Sequence, residues 1–410
     1  MRVKRAAAVT HPGAKREYNE DMVLRVGSPP LYAVADGMGG ARPGKAAADL
    51  SMRTVKEYAA KMREATKRIS TERSTANRLA LTNLFDELFN SASQRIQRVK
   101  TERNATGMGS TLVLVTVVRN FAYVAHVGDS RAYVVRGGRS IRLTEDHSLA
   151  EFRLRRGRIT QEEYEHSQDR RLLYQALGAG VDVEVDVAEV RLIEGDVVLL
   201  CSDGLTRALT EEAIAALVDR KDVDGSANRL VEQANIAGAE DNVSVVLLDL
   251  ESEEGDEPIS SVTEVLQDVF LFRDITPTEL LVVAPYVEEM VFQKGATVIR
   301  EGEPGDVFYV VVDGRVRISR GSTVLTDVKA GGHFGELALA RPVNRSATVR
   351  TTTRTRLFAL SRDRFHELMR QKPELGAKLS LALLDAVGDR LRDLSSRLAA
   401  VEKAIRGDFK

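Results

Sequence analysis

Residues 34–40 read Val-Ala-Asp-Gly-Met-Gly-Gly, an apolar strand end that leads directly into a glycine-rich turn. The carboxylate of Asp36 therefore stands at the end of a rigid strand, beside a backbone that can bend freely. The carbonyl group of Gly37 has no side chain in its way and can add a second oxygen ligand for a hard divalent cation. An Asp-Gly pair is also an ordinary turn signal. The metal interpretation therefore depends on further acidic residues elsewhere in the chain.

Composition narrows the class of protein. The chain has 410 residues, 43% of them hydrophobic and 29% charged, which is typical of a globular protein with two or three domains. Because 59 Lys and Arg nearly balance 60 Asp and Glu, neither nucleic acid nor a membrane is expected as a partner. Cys201 is the single cysteine, and no apolar stretch of about twenty residues occurs. We therefore expect a cytoplasmic protein without a membrane span.

The first 250 residues alternate between strand and helix patterns. Apolar residues recur at helical spacing in 43–65 and 76–100, which predicts two long antiparallel helices joined by 66–75. Closely spaced β-branched runs at 108–118, 121–128 and 131–135 predict an antiparallel meander. The pattern then predicts a surface flap at 149–171, a buried strand at 196–201, helices at 205–220 and 224–237, and a last strand at 243–250.

Four acidic stations each adjoin an apolar strand: Glu20-Asp21, Asp36-Gly37, Asp203-Gly204 and Asp241-Asn242. Folding can gather them at one sheet edge, where bound metal would relieve the repulsion between carboxylates. Oxygen ligands without clustered His or Cys favour Mg or Mn. Two such ions about 3.5 to 4 Å apart can activate a shared water for attack on phosphorus. The pattern therefore suggests phosphoester hydrolysis.

Simpler interpretations remain open for single residues. Glu20 and Asp21 are also what a charged surface loop would show. Asp129, in Val-Gly-Asp-Ser-Arg, fits a turn aspartate as well as a metal ligand. His126 lies within an apolar strand, which favours a packed core residue over a ligand.

A series of motifs resembles the metal-dependent Ser/Thr protein phosphatases of the PPM or type 2C family in their bacterial form. In chain order these are Arg16-x-x-Asn-Glu20-Asp21, Ala35-Asp36-Gly37-Met-Gly-Gly, Met-Gly109-Ser-Thr111, Val-Gly128-Asp129-Ser-Arg131, Thr144-x-Asp146-His147-Ser148, Gln-Ala-Leu-Gly178, Ser202-Asp203-Gly204 and Glu-Asp241-Asn242. The resemblance implies a four-layer α-β-β-α sandwich, of the α+β class, over residues 1–250. It also implies that the substrates are proteins phosphorylated on serine or threonine.

The same resemblance implies a role for each site residue. Asp36 would bridge two Mg or Mn ions, with the carbonyl of Gly37 in the same shell. Asp203 and Asp241 would complete one shell, while Glu20 and Asp21 would hold waters on the ions. Arg16 would clamp two phosphate oxygens, which a planar guanidinium does well.

Two positions depart from the family pattern. A third ion in the family is held by the equivalents of Asp129 and Asp203 and by an aspartate four residues beyond the latter, where this chain has Arg207. The third site is therefore doubtful. Met38 replaces a histidine that animal members use as a proton donor, so we expect water on the ions to protonate the leaving group.

A polar, acidic stretch at 251–261 predicts a linker to a second domain. Helices are predicted at 262–272 and 279–287, followed by short strands at 296–300, 307–312, 316–319, 346–351 and 356–360. A small β-barrel without a ligand is one interpretation of this pattern. The segment Gly332-His-Phe-Gly335-Glu336-Leu-Ala-Leu-Ala-Arg-Pro-Val-Asn-Arg345-Ser346-Ala347-Thr348 argues against it. Its glycine-opened turn suits a phosphate, its arginine neutralises one charge, and its carboxylate can accept from a hydroxyl.

That segment resembles the phosphate-binding cassette of cyclic nucleotide-binding domains, as found in kinase regulatory subunits and bacterial cyclic-AMP receptor proteins. The resemblance covers 262–372 and implies a β-roll, or jelly-roll-like, domain with flanking helices. Glu336 would accept from the ribose 2′-hydroxyl and Arg345 would pair with the cyclic phosphate, with Gly335, Leu337 and Ser346 completing the cassette. Ser346 is compatible with either purine, so cAMP is favoured over cGMP only as a first choice.

The C-terminal residues 373–410 carry apolar residues three and four apart, at Leu384, Val387, Leu391, Leu394, Leu398, Val401 and Ile405. This heptad pattern favours a coiled-coil homodimer contact, and a helix packed on its own domain is the alternative. The complete sequence thus predicts a Mg- or Mn-dependent phosphatase regulated by a cyclic nucleotide. A weakly active or inactive phosphatase domain that serves as a nucleotide-dependent scaffold is the alternative, motivated by Arg207.

Overall fold

The computed structural model describes residues 2–180, 182–251, 269–273 and 275–385, together with Leu266 and Gly388. The chain divides into two compact units, Met1–Pro258 and Ile259–Lys410. The predicted linker at 251–261, apart from Glu251, most of the predicted helix at 262–272 and the heptad positions beyond Leu384 lie outside the described residues. The linker, the start of that helix and the dimer contact therefore stay predictions.

The first unit combines long helices with two sheets. Its strands are β1 (Arg2–His11), β2 (Met22–Gly27), β3 (Pro30–Ala35), β4 (Gly37–Met38), β5 (Gly109–Ser110), β6 (Leu112–Val118), β7 (Phe121–Val127), β8 (Arg131–Arg136), β9 (Arg139–Arg142), β10 (Asp186–Arg191), β11 (Val197–Cys201) and β12 (Val243–Glu251). Its helices are α1 (Ala41–Thr71), α2 (Thr75–Glu102), α3 (Leu149–Arg155), α4 (Gln161–His166), α5 (Asp203–Ala208), α6 (Glu211–Leu217) and α7 (Val223–Ile236). The expectation of a mixed α/β fold is confirmed.

Within the described residues, one five-stranded sheet has the order β1-β12-β11-β8-β9 and the other the order β10-β7-β6-β3-β2. The described strand pairs in both sheets are antiparallel. Strand β12 of the first sheet contacts β2 and β3 of the second. The strand ends that carry the acidic residues are therefore brought towards one another from both sheets.

The long helices cover the second sheet, and α7 covers the first. Val55 and Met62 of α1 and Phe85 and Phe89 of α2 are fully buried in one core with β6 and β7. Helix α7 packs on β1 and β12 through a second core that includes Leu230. Removing this much apolar surface from water is the main force that holds the sheets in register.

The structure corrects several predicted boundaries. The connection expected at 66–75 is wrong for its first part, because α1 continues to Thr71. Ile69 is buried and extends the apolar face of the helix. The Thr66 hydroxyl donates to the Met62 carbonyl oxygen at 2.8 Å, so this side chain is accommodated within the helix. The predicted single helix at 205–220 is two helices, since the Thr210 side chain caps the start of α6. The flap at 149–171 contains the short helices α3 and α4.

The predicted three-strand meander is also only partly correct. Strands β6 and β7 pair as expected, but β8 pairs with β11 in the other sheet. The crossover occurs at Gly128, whose φ of 106° suits only glycine. Strand β1 was not predicted at all, although it pairs with β12 along most of its length.

The second unit is rich in strands, as expected. They are β13 (Glu288–Phe292), β14 (Thr297–Ile299), β15 (Pro304–Gly305), β16 (Val307–Asp313), β17 (Arg315–Arg320), β18 (Thr323–Lys329), β19 (His333–Phe334), β20 (Val343–Asn344), β21 (Thr348–Thr351) and β22 (Thr355–Ser361). The helices described there are α8 (Pro277–Val283), α9 (Leu337–Ala340), α10 (Arg362–Gln371) and a further helix at 373–385. The five strands β13, β15, β18, β19 and β20 lie outside the predicted ranges. The helix predicted at 279–287 ends at Val283, before a 3-10 turn, Ala284–Tyr286.

The described strands of this unit form two four-stranded sheets, β13-β22-β16-β19 and β14-β21-β17-β18, and a two-stranded sheet, β15-β20. These described strands form no closed barrel. Phe308, Phe358 and Phe365 belong to a buried apolar cluster that joins the first of these sheets to α8 and α10. In the part of the chain that the structure describes, no helix is both long and apolar enough to cross a membrane.

Candidate functional site

Asp36 is fixed through its backbone rather than through its side chain. Its amide donates to Thr111 Oγ1 at 3.0 Å, and its carbonyl accepts from the Thr111 amide at 2.8 Å and from Ser110 Oγ at 3.0 Å. These contacts give the Gly-Ser-Thr motif a physical role. They set the end of β3 without using the carboxylate group of Asp36.

Two glycines allow the acidic stations to pack backbone against backbone. A Cβ atom on Gly37 would lie 2.1 Å from the Gly44 carbonyl oxygen and 2.8 Å from that of Glu20. A Cβ atom on Gly204 would lie 2.1 Å from the Asn242 carbonyl oxygen. Any side chain at these positions would push the stations apart. The Asp-Gly pairs are therefore close-approach sites and not only turns.

Asn242 ties the N-terminal loop to the station at Asp241. Its Nδ2 atom donates to the carbonyl oxygens of Pro12 and Tyr18, both at 2.9 Å, and its Oδ1 atom accepts from the Glu20 amide at 2.8 Å. The side chain is buried, with 3% of its surface exposed. This single amide therefore holds Glu20 beside Asp241, a positioning role that the sequence analysis did not assign.

The carboxylates of the stations lie within electrostatic range of one another. Burial, and then Asp21, Asp203, Asp129 and Asp241 in that order, raise the pKa of Asp36 well above its usual value. Six predicted ligand side chains, those of Glu20, Asp21, Asp36, Asp129, Asp203 and Asp241, thus belong to one cluster. The fold gathers residues from both ends of the first unit, as the sequence predicted.

Burial also raises the pKa of three neighbouring carboxyl groups. The pKa of Asp21 rises to about 7 because of burial, and the Ser202 and Ser244 hydroxyls only partly offset this. The pKa of Glu20 rises through burial and the nearby Asp241, against the lowering effect of Arg16. Burial raises the pKa of Asp203 despite the adjacent Arg207. A buried cluster of carboxyl groups of this kind is stabilised by a bound cation.

Three oxygens of this cluster are buried without a hydrogen-bond partner: Oε1 of Glu20, Oδ1 of Asp21 and Oδ1 of Asp203. Buried polar atoms are almost always satisfied, so each orphaned oxygen calls for an explanation. Oxygen donors gathered at one point with no proton donor facing them are what Mg or Mn requires. The residues therefore fit a divalent metal site.

Arg16 lies at the rim of the cluster. Its Nη2 atom is 2.9 Å from Oδ2 of Asp241, and Nε donates to the Glu240 carbonyl oxygen at 3.3 Å. The side chain is 52% exposed and lines a cavity of about 590 Å³. Other lining residues are Lys15, Arg171, Arg207 and Glu240. A phosphorylated side chain that entered this cavity would meet a basic wall next to the carboxylates.

Asp129 belongs to the cluster, but its partner is a cation of the chain itself. Nη2 of Arg207 lies 3.3 Å from Oδ2 of Asp129 and 2.5 Å from Oδ2 of Asp203. The position of the third metal site, which the sequence left doubtful, is therefore spanned by a guanidinium group. Met38 is partly buried and lies over Gly109, where it contributes no titratable group.

A second group of potential ligands lies apart from the predicted stations. One ligand atom from each of His126, His147 and Asp186 falls within 4.8 Å of the others, a grouping found among the described residues alone. Nδ1 of His147 faces two donors, the Gly128 amide at 3.3 Å and Nε2 of Gln175 at 2.9 Å. The other ring nitrogen, Nε2, lies 3.4 Å from Oδ2 of Asp186.

His126 is a packed core residue, as predicted. It is 3% exposed, and its Nε2 atom lies 2.7 Å from the Glu145 carbonyl oxygen. Burial, together with the neighbouring His147, lowers its pKa to about 4. The ring is neutral near pH 7 and serves packing.

Arg131 and Asp146 form a buried ion pair behind the site, a role that was not predicted from the sequence. Arg131 donates to both carboxylate oxygens of Asp146, at 2.9 and 2.7 Å, and Arg142 adds a contact at 2.7 Å. Burial opposes the charge on Asp146, but these two cations outweigh it and hold its pKa well below the usual range. Their presence in the motifs around Asp129 and His147 was the available signal.

In the second unit, Arg345 is a partly buried cation. It forms no ion pair with any residue that the structure describes, and its Nη2 atom donates to the Val307 carbonyl oxygen at 2.9 Å. Burial lowers its pKa against the opposing effects of Tyr309 and Asp306. Cβ atoms on Gly305 and Gly335 would lie 2.3 and 2.7 Å from its guanidinium atoms. The two glycines therefore form a fitted slot for this side chain.

The other cassette residues surround the same turn. Gly335 has a φ of 81°, and it precedes Glu336, which is only 5% exposed. Leu337 is 50% exposed at the start of α9, and Ser346 is exposed next to Arg345. The turn therefore combines a buried acid, a partly buried cation and an exposed apolar side chain, which suits a ligand with one anionic and one apolar part.

Two protein families match the chain, one in each of its two units. The family described as Protein phosphatase 2C matches residues 15–243, more than half of the chain. The family described as Cyclic nucleotide-binding domain matches residues 289–372. The serine/threonine phosphatase stp of Listeria welshimeri is 33% identical over 244 residues, which cover 58% of this chain and 93% of that protein.

Solved structures resemble the first unit as well. The PPM Ser-Thr phosphatase MsPP from Mycobacterium smegmatis, in complex with cacodylate, is 32% identical with a TM-score of 0.51, covering 61% of this chain and 100% of that one. The catalytic domain of the serine threonine protein phosphatase PstP, in complex with 2 manganese ions, is 31% identical with a TM-score of 0.50. That match covers 60% of this chain and 97% of the other.

Proposed function

Because the chain belongs to the protein phosphatase 2C family and carries a cyclic nucleotide-binding domain, we propose that it is a Mg- or Mn-dependent protein serine/threonine phosphatase regulated by a cyclic nucleotide. The main support for the metal site is the set of buried oxygens without a hydrogen-bond partner on Glu20, Asp21 and Asp203. The structure with 2 manganese ions described above supports the choice of metal.

In this proposal each site residue has a defined task. Asp36, the carbonyl oxygen of Gly37, Asp203 and Asp241 would hold the ions directly. Glu20 and Asp21 would hold them through water. When bound, the ions would supply a water activated near neutral pH and aligned with the phosphorus atom.

The basic rim would bind and orient the substrate. Arg16 is exposed enough to bind a phosphate group, and its position is fixed by Asp241 and the Glu240 carbonyl oxygen. Its planar guanidinium can donate to two phosphate oxygens at once. The flap at 149–171 contributes Arg171 to the same cavity, which supports a role in substrate selection.

The finer architecture and cellular context belong to the same proposal. The contacts of α1 and α7 with opposite sheets support a four-layer α-β-β-α sandwich, and the two sheets of the second unit support a β-roll. The single cysteine favours a cytoplasmic location. The heptad spacing beyond Leu384 supports a homodimer.

Hydrolysis of a phosphothreonine peptide with and without Mn tests the enzyme. We expect Mn-dependent turnover by the wild-type chain and its loss in Asp36→Asn, with Asp224→Asn, an exposed change on α7, as the matched control. Equal rates for wild type and Asp36→Asn would contradict the proposal. That result would favour the alternative, in which an inactive phosphatase domain serves as a nucleotide-dependent scaffold.

In the second unit, Arg345, which has no ion-pair partner among the described residues, carries the ligand proposal. The cyclic phosphate would pair with its guanidinium group, and Glu336 would accept from the ribose 2′-hydroxyl, with Gly335, Leu337 and Ser346 around them. We expect cAMP in preference to cGMP. Calorimetry with both nucleotides should show binding by the wild type, loss in Arg345→Ala and retention in Arg350→Ala, which removes an exposed arginine from β21. No heat of binding with either nucleotide would overturn the assignment.

Regulation requires a free-energy coupling between the two sites. The test is a titration of phosphatase activity with cAMP at fixed Mn, repeated with Arg345→Ala. A change of rate or of Mn affinity in the wild type alone supports regulation. If saturating nucleotide changes neither, the second unit serves localisation or dimerisation instead.

A further inference from the structure

Arg207 joins two buried carboxylates that come from different parts of the first unit. It lies on α5, four residues after Asp203, so the two side chains share a face of that helix. Asp129 lies at the crossover between β7 and β8. The Nη2 atom of Arg207 contacts both acids, at 2.5 Å for Asp203 Oδ2 and 3.3 Å for Asp129 Oδ2.

Both acids need a positive partner because both are removed from water. Asp129 is 6% exposed and Asp203 is 8% exposed. A buried charge without a partner is strongly destabilising. The guanidinium group supplies that partner from within the chain, and its own side chain is only 24% exposed.

The residues at this place do not fit a metal ion. The resemblance to the family assigns a third ion to Asp129, Asp203 and a carboxylate at the position of Arg207. Here that carboxylate is missing, and a fixed positive charge spans the two that remain. An arginine side chain stays protonated at any pH relevant to the protein, so it cannot become a ligand and it repels a cation.

We infer that Arg207 is a built-in substitute for the third cation, so that the protein binds two divalent ions and not three. The inference rests on the proposed function, since it presupposes the two-ion site around Asp36. It also assigns Arg207 a positioning role, because the guanidinium group fixes Asp203, a proposed ligand of one of those ions.

Counting bound manganese tests this directly. Equilibrium dialysis of the full chain against Mn, followed by elemental analysis and by paramagnetic resonance of the free ion, gives the number of ions per chain. We expect two for the wild type and three for Arg207→Asp, which restores the missing carboxylate. Arg158→Asp makes the same change of charge at an exposed arginine of the flap and should keep two.

The possible outcomes separate this inference from the proposed function. No bound manganese in the wild type would refute the two-ion site and with it this inference. Three ions in the wild type would refute the inference alone. Two ions in Arg207→Asp, or three in Arg158→Asp, would also refute it, because the guanidinium would then not be what excludes the ion.

A second variant covers the case in which Arg207→Asp does not fold. Arg207→Ala removes the guanidinium without adding a ligand, so a third ion should bind, but only at a higher Mn concentration than the first two ions need. In the metal-free state this variant should also melt at a lower temperature than the wild type, with the difference reduced by saturating Mn. A count of two at every Mn concentration would contradict the inference.

Discussion

The Nη2 atom of Arg16 lies 2.9 Å from Oδ2 of Asp241, so the proposed phosphate clamp and a proposed metal ligand are direct partners. The second anchor of Arg16, the Glu240 carbonyl oxygen at 3.3 Å, belongs to the residue before Asp241. The guanidinium is thus held by one short segment while half of its side chain stays exposed. A phosphate oxygen would compete with the Asp241 carboxylate for the N–H groups of Arg16. Substrate would therefore bind next to the proposed metal ions.

Arg16→Ala should lower kcat/KM for a phosphothreonine peptide by about 10- to 100-fold, since hydrogen bonds to charged groups contribute about 1.5–3 kcal/mol. Arg16→Lys should recover only part of this loss, because an ammonium group cannot donate in a planar fork. Steady-state kinetics at saturating Mn measures both. Lys15→Ala is the control, since Lys15 lines the same cavity but, within the described part of the chain, forms its ion pair with Glu240 at 2.6 Å. Equal losses in the Lys15 and Arg16 variants would show that general charge, and not the fork, is responsible.

Gly204→Ala should weaken Mn binding and destabilise the first unit by about 1–3 kcal/mol, the usual cost of overpacking. The added methyl group would lie 2.1 Å from the Asn242 carbonyl oxygen, which is backbone and cannot move aside cheaply. Mn titration and thermal melting measure the two effects. Gly27→Ala, at a glycine with no atom within 4 Å of the added carbon, should change neither. Unchanged Mn affinity in Gly204→Ala would show that the spacing of these backbones does not set the site.

These glycines also show why the site could be predicted from the sequence. Asp36-Gly37 and Asp203-Gly204 each end an apolar strand, and strand ends from two facing sheets meet at a limited number of edges. The residue types then indicate which ion would bind, because clustered carboxylates without His or Cys favour ions that prefer oxygen ligands. Asn242 was missed in its positioning role because its three hydrogen bonds reach residues more than 200 positions away.

The errors in the predicted fold have equally specific causes. Residues 66–71 look like a connection because they are basic and rich in threonine, but burial of Ile69 against the sheet keeps them helical. The turn at Gly128 looks like an ordinary hairpin, and only long-range pairing with β11 sends β8 into the other sheet. Local pattern does not contain either fact, because tertiary contacts override propensity.

Arg131→Met should destabilise the first unit by about 3–5 kcal/mol, because it leaves Asp146 buried with one of its two cations removed. Asp146 supports the segment that carries Asp129 and the flap, so the variant should also lower phosphatase activity. Urea unfolding followed through the first unit's transition measures the cost. Arg53→Met removes an exposed pair with Asp49 and should cost less than about 1 kcal/mol. A similar cost for both variants would mean that the buried pair contributes no more than a surface one.

His126→Gln should remove part of the pH dependence of stability between about pH 4 and 6.5. The pKa of His126 is about 4 in the folded protein and 6.5 in the reference state, so between these values the unfolded chain takes up a proton that the native chain does not. Stability from this group is therefore complete above pH 6.5 and is lost as the pH falls towards 4, a change of about 3 kcal/mol. Glutamine cannot take up this proton but can still donate to the Glu145 carbonyl. The free energy of unfolding of the variant, measured at pH 5 and pH 7, should therefore differ less than that of the wild type. His166→Gln, at an exposed histidine of the flap, is the control and should keep the wild-type difference. The same slope in His126→Gln as in wild type would show that protonation of this buried ring does not limit stability in acid.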